Sequence, residues 1–175
     1  MSEGSARNPL WFNFFRPDPG WVDEAGSLCR RHPLFDGIPD SVVHWFVSTM
    51  HPRHYKAEEY IFHAGDEGAG ALLLLSGRVE IRHQGVVLAV MERGDIFGEA
   101  ALVDGSVRTA DAVTLCPSRL LFLLHADLDE WINGRPKHAC TLLRNLGGML
   151  ARRLLQANRL LSGAGDGSGP DGGGG

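Results

Sequence analysis

The spacing of apolar residues changes character twice along this chain. "GIPDSVVHWFVSTM" places Val43, Phe46, Val47 and Met50 at helical steps, with Asp40 or Ser41 as the N-cap. From His54 the period shortens toward two. "EYIFHAGDEG", "ALLLLSG", "RVEIRHQ" and "GVVLAVMERGD" are short apolar runs separated by Gly-Asp, Ser-Gly and Gln-Gly turn chemistry, and "ADAVTL" and "RLLFLLH" follow. The period then lengthens again. "ADLDEWIN" reads as a short helix and "RPKHACTLLRNLGGMLARRLLQANRLL" as a long one that begins just after Pro136. A helix, a block of about eight strands, then a short and a long helix predict a mainly β, α+β domain. Its expected form is an antiparallel jelly-roll-like β-barrel flanked by an N-terminal helix and the two C-terminal helices.

In the long helix Ala139, Leu143, Leu146, Leu150, Leu154, Ala157 and Leu161 recur at steps of three and four, a stripe suited to the barrel or to a two-fold coiled coil. The stripe exceeds what capping a barrel requires, so a homodimer is expected. Arg152 and Arg153 are placed on the wet side. The segment 1–31 is an aromatic, proline-rich arm whose Trp11, Phe12, Phe14, Phe15 and Trp21 either dock on their own domain or meet a partner. The domain proper is expected over 32–161, with the β-roll at about 54–125 and the C-terminal helices at about 126–161. The glycine-rich segment 162–175 reads as a disordered tail.

Composition narrows the function. At 175 residues, 43% hydrophobic and 22% charged, the chain can bury its own core. With 17 Lys+Arg against 21 Asp+Glu the net charge is −4, which argues against binding nucleic acid by phosphate neutralisation. Cys29, Cys116 and Cys140 lack a C-x-x-C spacing and read as reduced thiols. With no signal-like start and no long apolar run, a cytoplasmic location is expected. Neither G-x-S-x-G nor a P-loop pattern occurs, so a binding module is expected rather than an enzyme.

The chemistry concentrates in "FGEAALVDGSVRTADAV". Glu99 follows a glycine, and Arg108 lies nine residues later across a loop of small residues. A Gly-Glu-Ala-Ala turn can direct its backbone N–H groups at an anion. An arginine returning over that loop adds a charge-assisted contact to phosphate oxygens, and Thr109 adds a hydroxyl donor. A carboxylate would repel phosphate, so Glu99 is expected to accept from a hydroxyl on the same ligand. Phosphate plus hydroxyl describes a sugar phosphate or a nucleotide.

These residues resemble the phosphate-binding cassette of the cyclic nucleotide-binding domain family, with Gly98, Glu99, Ala101, Leu102, Arg108 and Ala110 in place. "HPLFDGIP", "IFHAGDEG" and "LLLLSGRVEI" resemble its entry helix and first strands, and the likeness spans roughly 32–161. The resemblance implies that Glu99 takes the ribose 2′-hydroxyl and Arg108 an exocyclic phosphate oxygen. Thr109 and the backbone N–H groups of Gly98, Glu99 and Ala100 would complete the cradle. Leu88 or a nearby strand residue would pack on the purine. "MLARRLLQAN" resembles the dimer helix of the family's transcription activators, which puts Asn158, beside Ala157, at the base. The ligand is left as cAMP or cGMP, with cAMP favoured.

Val107 stands where a proline often precedes the arginine, and Asp111 adds a charge. The glycine-rich tail stands where activators of the family carry a helix-turn-helix. A receiver acting on a protein partner in trans, or a fragment, is therefore expected, with no DNA-binding domain, membrane span, cofactor or metal. Two alternatives are kept. One is a nucleotide-independent scaffold in which Glu99 and Arg108 pair with each other. The other is a cupin-type metal enzyme using His51, His54, His63 or His83, although its H-x-H signature is missing.

Overall fold

The computed structural model describes residues 20–165. Among them are eight strands: β1 (His51–Tyr55), β2 (Tyr60–Phe62), β3 (Gly70–Ser76), β4 (Val79–His83), β5 (Val86–Met91), β6 (Ile96–Phe97), β7 (Asp111–Thr114) and β8 (Ser118–Leu124). Five α-helices accompany them: α1 (Trp21–Cys29), α2 (Asp40–Ser48), α3 (Ala100–Asp104), α4 (His125–Gly134) and α5 (Pro136–Gly165). The strands form two four-stranded antiparallel sheets, ordered β1-β8-β3-β6 and β2-β7-β4-β5. The jelly-roll class is as expected, but the two sheets do not close into one hydrogen-bonded barrel. No helix among the described residues is long and apolar enough to cross a membrane.

The run "ALLLL" on β3 is continuous because both faces of that strand are covered. Leu72 and Leu74 meet Val79, Ala112 and Leu120 between the sheets. Ala71, Leu73 and Leu75 face the helices, joining Phe46, Leu128 and Trp131. A strand buried on both sides has no use for polar alternation.

β1 begins at His51, earlier than the pattern suggests, so His51 and His54 lie on the first strand and not ahead of it. Pro52 is tolerated there because β1 is a sheet edge, where the missing N–H breaks no inner ladder. Asp40 is the first residue of α2, and Pro39 takes the N-cap position without a side-chain cap. Asp40 therefore acts on the helix through its charge in the first turn.

The segment 1–31, read as an arm, contains α1, and there Ala25 and Cys29 are fully buried in the core with Val43 and Val47. Prolines stop at residue 19, which leaves 21–29 free to wind. Trp11, Phe12, Phe14 and Phe15 lie outside the described residues. At the other end α5 continues to Gly165, beyond the expected boundary at 161; residues 166–175 lie outside the described residues.

Glu24 ties α1 to the strands, with Oε1 accepting from Arg93 at 3.0 Å and Oε2 from Arg119 at 2.7 Å. Burial pushes its carboxyl up, but the two arginines outweigh burial and hold the pKa below its ordinary 4.5. A carboxylate depressed in the fold adds stability above the unfolded pKa and loses it as pH falls through the folded one. Glu24→Gln should thus be less stable than wild type at neutral pH, with the gap closing on acidification below about pH 4.5. Urea unfolding of both proteins at several pH values reads this directly.

Thr114, fully buried on β7, organises the β1–β2 turn. Its hydroxyl donates to the Lys56 carbonyl at 2.5 Å and accepts from the Glu59 N–H at 3.0 Å. Thr114→Val keeps the shape but strands both backbone groups. The expected loss is about 1–3 kcal/mol in denaturant unfolding, and a loss below a few tenths would show that water replaces the hydroxyl.

Candidate functional site

β6 leads into a turn that only glycine can make. Gly98 has φ +69°, and a Cβ there would strike the Arg108 guanidinium. The chain then winds into α3, a single short helix closed by Gly105 in the left-handed conformation at φ +64°. α3 is anchored by Ala101 and Leu102, both buried in the domain.

Arg108 returns across this loop. Its backbone N–H donates to the Asp66 carbonyl at 2.8 Å, and its own carbonyl accepts from Gly65 N–H at 2.8 Å. Its Nη1 donates to the Gly98 carbonyl at 3.0 Å and its Nη2 to the Gly70 carbonyl at 2.7 Å. The guanidinium lies 4.3 Å over the Phe62 ring. Arg108 is only 7% exposed, and its buried Nε has no hydrogen-bond partner among the described residues. Burial pushes the guanidinium below its ordinary pKa, while the Asp66 carboxylate pulls it back up. A buried cation with an unused donor leaves charge and hydrogen-bonding capacity unsatisfied within the fold.

Glu99 is 5% exposed and does not pair with Arg108. Its Oε1 accepts from Arg153 Nη1 on α5. The pairing expected for a degenerate loop is thus absent, and Arg153, though about half exposed as the wet side implies, reaches back to the loop. The loop is fastened at two further points. His83 Nδ1 donates to the Thr109 carbonyl at 2.9 Å, and His125 Nδ1, at the start of α4, donates to the Leu102 carbonyl at 2.7 Å. A carbonyl can only accept, so Nδ1 carries the proton in each ring. α3 is therefore tied to the helices that follow the sheets.

One cavity of about 740 Å³ joins these parts, a size suited to a small organic ligand. Gly98, Glu99, Ala100, Arg108 and Thr109 line it, as does Leu88 of β5. Asn158 does not line the cavity; its side of α5 is exposed. The α5 residues that do are Arg153, Gln156 and Ala157. Each residue turns the helix by about 100°, so Asn158 cannot share the face of Ala157 and Arg153. The long helix changes environment near Leu150. Ala139, Leu142 and Leu146 are buried, whereas Leu154 is 63% exposed. Continuing the buried stripe by threes and fours leads through Met149 and Leu150 to Arg153, Gln156 and Ala157. That extrapolation is the signal that would have found Arg153 and Gln156. Phe62, Ile81 and Met91 also line the cavity, and as isolated strand residues they carried no such signal.

Among the described residues, no three His, Cys, Asp or Glu side chains cluster as metal ligands. His51 instead pairs with Asp127 at 3.1 Å, and the same carboxylate caps the Leu124 N–H at 3.0 Å.

Two facing antiparallel sheets, a glycine-led loop with a returning arginine, and a helix laid across the cavity accompany this chain's membership of the cyclic nucleotide-binding domain family, whose sequence profile matches residues 52–135. Over 134 residues it is 35% identical to the cyclic AMP receptor protein of Thermus thermophilus, covering 74% of this chain and 60% of that protein. The crystal structure of the Thermus thermophilus catabolite activator protein superposes with a TM-score of 0.67 at 34% identity, covering 75% of this chain and 62% of that one. The N-terminal domain of a transcriptional regulator from Streptomyces coelicolor A3(2) gives 0.66 at 33% identity, covering 75% of this chain and 95% of that domain. The chain spans about three-fifths of the length of the curated receptor proteins it matches.

Proposed function

We propose that this chain is a receptor for a cyclic mononucleotide, cAMP or cGMP, that switches a partner through α4 and α5. The observation that carries the reading is Arg108, a buried guanidinium whose Nε is unpartnered among the described residues and whose Nη1 holds the Gly98 carbonyl ahead of α3. An exocyclic phosphate oxygen there satisfies that donor and the charge together. Glu99, on the same loop, accepts from the ribose 2′-hydroxyl, and Thr109 donates to the phosphate. Leu88, Ile81 and Met91 form an apolar wall for the purine. The chain binds and releases the nucleotide without turning it over.

The switch follows from the Glu99–Arg153 pair. Ligand hydroxyl and Arg153 meet at the same carboxylate, so binding changes what holds α5 against the loop. The ligand shifts the helix only by its differential affinity for the two arrangements. The partner, acting in trans, docks on the surface that moves. Leu154 and Leu155 on the exposed part of α5 support a homodimer through that helix, and three free cysteines support a reducing, cytoplasmic setting.

A nucleotide-independent scaffold is the second reading. What favours it is that Arg153 already satisfies Glu99; what opposes it is the unused Arg108 donor. Calorimetric titration of the purified chain with cAMP and with cGMP separates the two. Micromolar or tighter binding of either supports the receptor, and no heat or thermal stabilisation with both overturns it.

A further inference from the structure

α5 carries Lys137, Arg144, Arg152, Arg153 and Arg159 and no aspartate or glutamate over its 30 residues. That helix contributes +5 to a chain of net charge −4, so everything outside it sums to −9. Four of the five cations form one row. They follow one another at steps of seven, eight and seven, from Lys137 through Arg144 and Arg152 to Arg159. At about 100° and 1.5 Å per residue, those steps keep them within an arc of about 80° along about 33 Å of helix. All four are exposed, and the arc lies opposite the buried Ala139, Leu142 and Leu146. Leu155, 57% exposed, falls in the same arc between Arg152 and Arg159. Arg153, on the other side of the helix, has Glu99 for a partner. The side chains of the row have no ion-pair or hydrogen-bond partner among the described residues.

A solvated helix of this length ordinarily mixes signs, because a carboxylate three or four residues from a cation stabilises it. α5 has no such pair, and Lys137 stands in its first turn, where the helix dipole disfavours a cation. We infer that this outer row is a docking surface for a protein partner, which presents a helix with carboxylates at the same seven- and eight-residue spacing and one apolar side chain for Leu155. A single row is the footprint of a helix laid alongside, its charges meeting as the flanking charges of a coiled coil do. A bilayer requires a broad apolar face, and the arc offers Leu155 alone among its described residues. A nucleic acid brings dense phosphate against the −9 of the rest of the chain. The row thus gives a chemistry to the partner acting in trans, and the inference rests on that part of the receptor reading; the docking itself is measured without nucleotide.

The test is calorimetric titration of the full chain, in about 50 mM salt to limit screening, with a synthetic helical peptide of about 28 residues. The peptide carries glutamates at the spacing of the row and one leucine among them; a second peptide of the same composition has its glutamates spread around the helix. The patterned peptide should bind at least about ten-fold more tightly than the scrambled one. The triple variant Arg144→Glu, Arg152→Glu, Arg159→Glu should lose about ten-fold or more of that affinity, and should instead take a peptide with lysines in place of the glutamates. Melting curves confirm that it is folded, and the milder pair Arg144→Gln, Arg159→Gln serves in its place where it is not. Equal binding of the two peptides overturns the inference, as does tighter binding of a DNA duplex or of phosphatidylserine vesicles than of the patterned peptide. Charge reversal that changes the sedimentation of the protein alone assigns the row to a second copy and overturns it too. Titration with cAMP and cGMP on the same samples reads the receptor separately. Failure of the peptides where a nucleotide binds overturns this inference alone; docking of the patterned peptide where neither nucleotide binds overturns the receptor and leaves the docking surface standing.

Discussion

Arg108→Ala should abolish cyclic nucleotide binding in calorimetry under conditions where wild type titrates cleanly. Removing a buried cation from its anion costs about 2–5 kcal/mol, part of it from leaving the phosphate unpaired. That range is an affinity loss of roughly 30- to 4,000-fold. The side chain also holds the loop itself, through the Gly98 and Gly70 carbonyls and the Phe62 ring. A loosened loop could mimic a lost phosphate contact, so Arg108→Lys is the necessary companion. Lysine keeps the charge but not the planar fork, and cannot reach two carbonyls and a phosphate at once. It should bind more weakly than wild type and better than alanine. Melting curves of the unliganded proteins measure the structural share. Binding by the alanine variant within two-fold of wild type would remove Arg108 from the anion site.

The largest expected loss of stability belongs to Trp131→Ala. Trp131 is 1% exposed and its ring sits 4.3 Å from that of Phe46, centroid to centroid, fixing α4 against α2. Truncating such a side chain to alanine costs about 3–5 kcal/mol, through lost burial and the cavity left behind. Trp131→Phe provides the contrast. The indole Nε1 is buried without a partner among the described residues, so removing it relieves an unsatisfied donor while most of the ring contact survives. The phenylalanine variant should lose less than about 1.5 kcal/mol. Urea midpoints at constant slope distinguish the two. An alanine variant within 1 kcal/mol of wild type would mean that α4 repacks around the gap. Because α4 also carries His125, bonded to the Leu102 carbonyl of α3, its seating matters to the ligand loop as well as to the fold.

Much of the site was legible because its chemistry is local. Gly98, Glu99 and Arg108 lie within eleven residues, and the constraints on them are backbone constraints: a positive φ at Gly98 and an arginine returning over a short loop. A positive φ and a short return select residue types at set spacings, and spacing is what a sequence displays. The helices and strands were legible for a similar reason, since burial of one face imposes its period on the chain.

The partners of those residues were not legible in the same way. Glu99 meets Arg153 across 54 positions, and although the helical period can bring Arg153 rather than Arg152 to the cavity, nothing local records which residue it meets there. The heptad reading of α5 admitted Leu154 to the stripe and excluded Arg153, because both lie at permitted steps from Leu150. α1 was hidden by the prolines before it, although its Cys29 is as buried as any residue in the core.

The order of the strands and of α2, α4 and α5, the buried faces, and a loop carrying one acid and one arginine follow from the chain's local pattern, since each depends on neighbours within a turn or a strand. That Arg108 and Glu99 do not pair, that Arg153 meets Glu99, and that Gln156 rather than Asn158 lines the cavity are consequences of tertiary packing. Along a helix each residue turns the side chain by about 100°, so the face presented to the site is set by how α5 seats on the sheets. Asn145 helps to set it by donating to the Leu34 and Asp36 carbonyls more than a hundred residues away.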